Sequence, residues 1–166
     1  PAFLIFKPGM IITSILLYFY WKKNNVLVNK FNDISNKNYN FKIFGILSAI
    51  FLAIHALLLG VEVDLKAYKL LRRIILLSFI IFEIIAQGLL VYNFYKLKEK
   101  IKSFFNTAIL RCKIVLVFVL VTVAFGSLPM LVTKGNVHLK HALEWNYFVG
   151  VIIFYLLTRL FWIKKR

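Results

Sequence analysis

Five long apolar runs, separated by short segments rich in lysine and asparagine, constrain this chain more than any other feature of its sequence. A helix needs about 20 apolar residues to cross a bilayer core of about 30 Å. Because backbone in lipid must satisfy its own hydrogen bonds, continuous runs predict helices, whereas barrel strands would alternate. The sequence therefore predicts an all-α, polytopic transmembrane bundle in one domain, with spans at about residues 3–21, 43–61, 74–95, 114–133 and 142–163.

The composition excludes several other classes of protein. Of the 166 residues, 61% are hydrophobic and 17% are charged, whereas a soluble domain is nearer half apolar with about a quarter of its residues charged. This difference excludes a soluble enzyme domain and a disordered chain. Cys112 is the single cysteine, so an intrachain disulfide and a cysteine-based metal site are excluded as well.

Basic residues are distributed unevenly between the two predicted sides of the membrane. Segments 22–42 and 96–113 and the C-terminus, counted with Arg159, carry 15 of the 22 lysines and arginines. The positive-inside rule places that side, and with it the C-terminus, in the cytoplasm. Three tryptophans fall near predicted span ends, where an interfacial aromatic belt is expected; they are Trp21, Trp145 and Trp162.

The net charge of +16 would suggest nucleic acid on a soluble chain. Here the basic residues adjoin apolar runs, so we expect them to set topology and to contact anionic lipid headgroups. We therefore expect membrane lipids and other membrane protein subunits as partners, and we expect neither nucleic acid nor a cofactor.

The ends of the runs leave some alternatives open. Pro8 suits the first turn of the first helix, where its missing N–H costs nothing. The chain starts without methionine, so a sixth span could precede the five. Segment 22–42 is predicted as a connector at headgroup level. Segment 96–113 is basic and amphipathic, and could either extend the third helix or lie along the membrane surface.

Glu83 is the clearest candidate for a functional residue, because ionisable groups within a span are costly and often functional. Gln87 follows four residues later on the same helical face, and the small residues Ala86 and Gly88 would allow a neighbouring helix to approach. We expect Glu83 and Gln87 to face the bundle. Glu83 would then either hold helices together or act as a proton relay or headgroup ligand.

His55 lies in the second predicted span, and counting from the outer ends of the runs places it within about 5 Å of the depth of Glu83. The sequence therefore predicts that His55 and Glu83 are close enough in depth to form a hydrogen bond. The alternative is a packed imidazole with a single hydrogen bond.

A second polar cluster precedes the last span. His138, His141 and Glu144 could supply nitrogen and oxygen ligands to zinc, since His141 and Glu144 share a helical face. The spacing matches no recognised metal signature. The alternative is an ordinary helix start in which Glu144 interacts favourably with the helix dipole.

Two segments resemble the Frag1/DRAM/Sfk1 family of small polytopic membrane proteins. One is the last span, with Glu144-Trp145 followed by Phe154-Tyr-Leu-Leu-Thr, and the other is Pro8–Tyr20 with the basic residues after it. The resemblance implies six spans with both ends cytoplasmic, and roles in lipid asymmetry, lipid-anchor remodelling or autophagy. Of the family's motif residues, only Glu144 and Trp145 are matched, and the polar residues at the start of the family's fourth helix have no counterpart.

The sequence carries neither a nucleophile arrangement nor a glycine-rich phosphate loop. We therefore expect a non-enzymatic accessory or scaffold subunit, or a modulator of membrane lipids. The alternative is a small transporter or lipid-processing enzyme that uses Glu83 with His55, or the cluster of His138, His141 and Glu144.

Overall fold

The computed structural model describes residues 2–31, 40–59, 61, 66–101, 104–132 and 137–162, and these ranges are all-α, as predicted. They contain five long helices and one single-turn helix. The helices are α1 (Ala2–Phe31), α2 (Phe41–Leu58), α3 (Lys66–Lys96), α4 (Lys98–Ile101), α5 (Thr107–Val132) and α6 (Val137–Phe161).

The long helices cover most of each predicted span and extend beyond several of them, although α2 ends at Leu58, three residues before the predicted end of its span. α1 continues ten residues past Trp21, so residues 22–31, predicted as connector, are helical. α3 starts eight residues before the third predicted span, and α5 starts seven residues before the fourth. The reason is that apolar runs mark the part of a helix that lipid can accept, whereas the helix itself continues into the polar interface.

Two expectations about α1 are wrong. Pro8 lies inside the helix rather than in its first turn. A proline there removes one backbone hydrogen bond, a loss that helices in membranes tolerate when other groups satisfy the freed carbonyl. Trp21 is fully buried rather than placed as an anchor at the membrane surface.

Among the described residues, three helical segments, and so three of the five predicted spans, are long and apolar enough to cross a membrane: Phe41–Leu58, Leu70–Lys96 and Thr107–Gly126. They correspond to the second, third and fourth predicted spans. The described part of the last helix contains a shorter apolar segment, Asn146–Phe161. Large apolar side chains are exposed along these helices, including Phe118 at 72% and Leu156 at 64%, as expected of surfaces that contact lipid.

The chain divides into two compact units, Pro1–Leu90 and Val91–Arg166. In the first unit α1 packs along α2. The contact is close because α2 has a glycine, Gly45, where α1 presents Trp21; a Cβ at position 45 would overlap the indole ring. The ring of Phe41 lies on the same side, 6.2 Å from Trp21 between centroids.

In the second unit α5 packs along α6, where a Cβ at Gly150 would approach Leu120 to 2.6 Å. Asn106 caps α5, since its side-chain oxygen accepts a hydrogen bond from Ala108 N at 2.9 Å. Its own backbone N–H donates to the carbonyl of Phe161 at 2.9 Å. The start of α5 is thereby attached to the end of α6.

Candidate functional site: a buried carboxylate network and a buried lysine

Glu83 lies at the contact between α2 and α3 with no exposed surface. The Ser48 hydroxyl, on α2, donates to Oε2 of Glu83 at 2.7 Å. The amide Nε2 of Gln87, one turn along α3, donates to Oε1 at 2.9 Å. Ser48 and Gln87 are also fully buried. The prediction that Glu83 and Gln87 share a face directed into the bundle is therefore confirmed.

Ser48 extends this contact back into its own helix. Its hydroxyl lies 2.8 Å from the carbonyl oxygen of Gly45, and Gly45 is the residue on which Trp21 packs. Side chains and backbone of α1, α2 and α3 therefore meet in one continuous set of contacts around the carboxylate. Burying a carboxylate without hydrogen-bond partners would be very costly. Both oxygens of Glu83 have a partner, one on α2 and one on α3, so the carboxylate joins the two helices.

The structure does not bring His55 to Glu83. Ser48 is level with Glu83, and His55 lies seven residues further along α2, about 10 Å away along the axis. The depth comparison fails because it counted from the ends of the apolar runs. α2 ends at Leu58 and α3 begins at Lys66, which changes the register between the two helices.

His55 lies instead beside Arg72 of α3, whose charge and backbone act on the imidazole. The histidine is buried, with 8% of its surface exposed. Among the described residues, neither Nδ1 of His55 nor Nε of Arg72 has a hydrogen-bond partner, although both atoms are buried. Near them, the hydroxyl of Tyr68 donates to the carbonyl of Leu58 at 2.6 Å and ties the start of α3 to the end of α2.

The second unit holds a buried cation that the sequence did not indicate. Lys113, predicted as part of a connector, lies within α5 with 1% of its surface exposed. Its ammonium donates to the Thr158 hydroxyl on α6 at 2.7 Å. It also lies 4.2 Å from the ring centre of Phe154 and 5.5 Å from that of Phe161. The favourable interaction of a cation with aromatic faces offsets part of the cost of burying it.

Aromatic packing keeps these rings in place. Phe161 stacks on Phe105 with centroids 4.9 Å apart and lies 4.8 Å from Phe94. In the sequence, the only sign of this arrangement is the spacing of aromatic residues near the C-terminus. That spacing does not reveal that these rings surround Lys113.

The side chains of His138, His141 and Glu144 lie outside the described part of the structure, so the predicted zinc cluster stays a prediction. Within the described ranges, no group of three His, Cys, Asp or Glu side chains is placed to bind a metal ion.

The comparisons with known proteins give no relative. No protein-family model matches the chain, and neither a curated protein nor a solved structure matches it. The resemblance to the Frag1/DRAM/Sfk1 family therefore stays a prediction.

Proposed function

We propose that this chain is an integral membrane protein with a non-enzymatic role, as an accessory or scaffold subunit or as a modulator of membrane lipids. The observation that carries the proposal is the carboxylate of Glu83, whose two oxygens accept hydrogen bonds from Ser48 and Gln87. A proton relay or headgroup ligand would need an oxygen turned toward a path or a ligand. These contacts favour a structural role for the carboxylate.

The buried lysine supports the same proposal. The ammonium of Lys113 is engaged by Thr158 and by the ring of Phe154, and this geometry holds α5 against α6. In each unit, a costly polar group is therefore used for contact between helices. The exposed apolar faces remain available to lipid and to other membrane proteins, and we propose a cytoplasmic C-terminus on the basis of the basic segments.

Purification from native membranes in a mild detergent tests the proposal, with Glu83→Gln and Glu83→Leu compared to the wild type. A glutamine can still accept from Gln87 and donate to Ser48, so Glu83→Gln is expected to keep the assembly, whereas Glu83→Leu removes both bonds and should lower its yield. A subunit is expected to elute with a stoichiometric partner whose abundance falls when this chain is depleted. The proposal would be contradicted if the chain elutes without a partner and if its depletion leaves the lipid composition of the membrane unchanged.

A transporter or enzyme that uses Glu83 would behave differently. Glu83→Gln would then leave assembly and stability unchanged but remove the cellular phenotype, because glutamine neither carries the charge nor transfers a proton. Comparison of assembly with phenotype in this one variant separates the two functions.

A further inference from the structure

Near the point where α2 ends and α3 begins, two buried side-chain nitrogen atoms lack hydrogen-bond partners among the described residues. The Tyr68–Leu58 hydrogen bond fixes the register there. Arg72 follows Tyr68 by one helical turn, and His55 precedes Leu58 by about one turn, so the two side chains lie at the same level. The electrostatic interaction between them agrees with this placement.

This placement leaves polar groups unsatisfied. Nδ1 of His55 and Nε of Arg72 are both buried and lack hydrogen-bond partners among the described residues. Leaving a buried polar atom without a hydrogen bond is unfavourable, and more so when the atom is charged. The guanidinium Nε can only donate, and Nδ1 of the imidazole donates in the tautomer that carries its proton on that atom. A group that completes the site should therefore accept hydrogen bonds and carry negative charge.

We propose that His55 and Arg72 form a binding site for a phosphate group at this edge of the membrane. The inference deepens the proposed function and rests on the part of it that places the chain in a membrane. Phosphate oxygens accept several hydrogen bonds at once, and the planar fork of arginine matches their geometry. The adjacent Arg73 is exposed and is not part of the proposed site.

The position favours a lipid phosphate as one source. α2 ends at Leu58, so the site lies near the end of an apolar segment, at the level where headgroup phosphates occur. A free phosphate ion would offer the same acceptor oxygens.

Native mass spectrometry of the detergent-solubilised full chain tests the lipid source, with phosphatidylglycerol and phosphatidylcholine as probes. Melting temperature measured with and without inorganic phosphate tests the free ion. The informative variants are Arg72→Gln and His55→Leu. Arg73→Gln is the matched control. It removes the same charge at the neighbouring position, where the side chain is exposed.

If the source is a lipid, we expect the wild type and Arg73→Gln to retain phosphatidylglycerol. If it is the free ion, we expect both to melt at a higher temperature with inorganic phosphate. Arg72→Gln and His55→Leu should reduce the binding at least about tenfold, which corresponds to about 1.4 kcal/mol. Equal loss in Arg72→Gln and Arg73→Gln would overturn the inference, because it would indicate general charge attraction. The inference would also be overturned if the wild type binds neither lipid and its melting temperature is unchanged by inorganic phosphate.

Membrane integration is measured in parallel by alkaline extraction. If the wild type stays in the membrane but binds neither the lipids nor inorganic phosphate, the phosphate site is wrong and the membrane placement stands. If it is extracted into the soluble fraction, the proposed function fails as well.

Discussion

The hydroxyl of Ser48 lies 2.7 Å from a carboxylate oxygen of Glu83, across the contact between α2 and α3. The same hydroxyl lies 2.8 Å from the carbonyl of Gly45, on which the ring of Trp21 packs. One serine therefore connects the polar contact between α2 and α3 to the apolar contact between α1 and α2. A change on either side of Ser48 is expected to affect the other.

Gly45→Ala tests the apolar side of this connection. The added methyl group would overlap Trp21, and overpacking of this kind costs about 1–3 kcal/mol. Gly126→Ala is the matched control, since Gly126 has open space at the corresponding position and alanine favours helix. We expect a lower melting temperature for Gly45→Ala and an equal or higher one for Gly126→Ala. Equal melting temperatures in both variants would show that the glycine is not needed for packing.

Thr158→Val tests the contact between Lys113 and α6. Valine keeps the shape of threonine but removes the oxygen that accepts from the ammonium, so a buried charge loses its hydrogen bond at a cost of about 1–3 kcal/mol. Lys113→Met removes the charge and keeps much of the volume, and should cost less than Thr158→Val. Unfolding in detergent measures both free energies. A smaller cost for Thr158→Val than for Lys113→Met would be inconsistent with this arrangement.

Much of the fold follows from the apolar runs, whereas the register between helices does not. The runs predicted the long helices, and the four-residue spacing predicted that Glu83 and Gln87 share a buried face. Ser48 was not predicted, because a serine among apolar residues carries no signal of its partner. Its alignment with Glu83 depends on where α2 ends and where α3 begins, and polar residues before the apolar run extend the start of α3.

Lys113 illustrates a second limit of prediction from sequence. A lysine at the edge of an apolar run is indistinguishable from the connector lysines beside it. Its burial depends on α6 presenting Thr158 and Phe154 at the same level, which is a property of the packing. The same reasoning applies to His55, whose place beside Arg72 depends on how α2 packs on α3.

Cys112 provides a direct test of orientation, because it is the single cysteine and is exposed. It lies near the start of α5, on the side that the basic residues assign to the cytoplasm. A membrane-impermeant maleimide should label it in inverted vesicles and fail to label it in intact cells. Cys112→Ser is the control for specificity. Labelling only from the outside of intact cells would reverse the proposed orientation.

We propose that the buried carboxylate of Glu83 holds helices together, and a double-mutant cycle with Ser48 tests this role most directly. Unfolding free energies are measured in detergent for the wild type, Ser48→Ala, Glu83→Leu and the double variant. Hydrogen bonds between helices in membrane proteins contribute about 0.6 kcal/mol on average and about 1.7 kcal/mol at most. We predict a coupling energy in this range, with the double variant less destabilised than the sum of the two single variants. Strictly additive costs would show that Ser48 and Glu83 do not interact and would contradict the structural role.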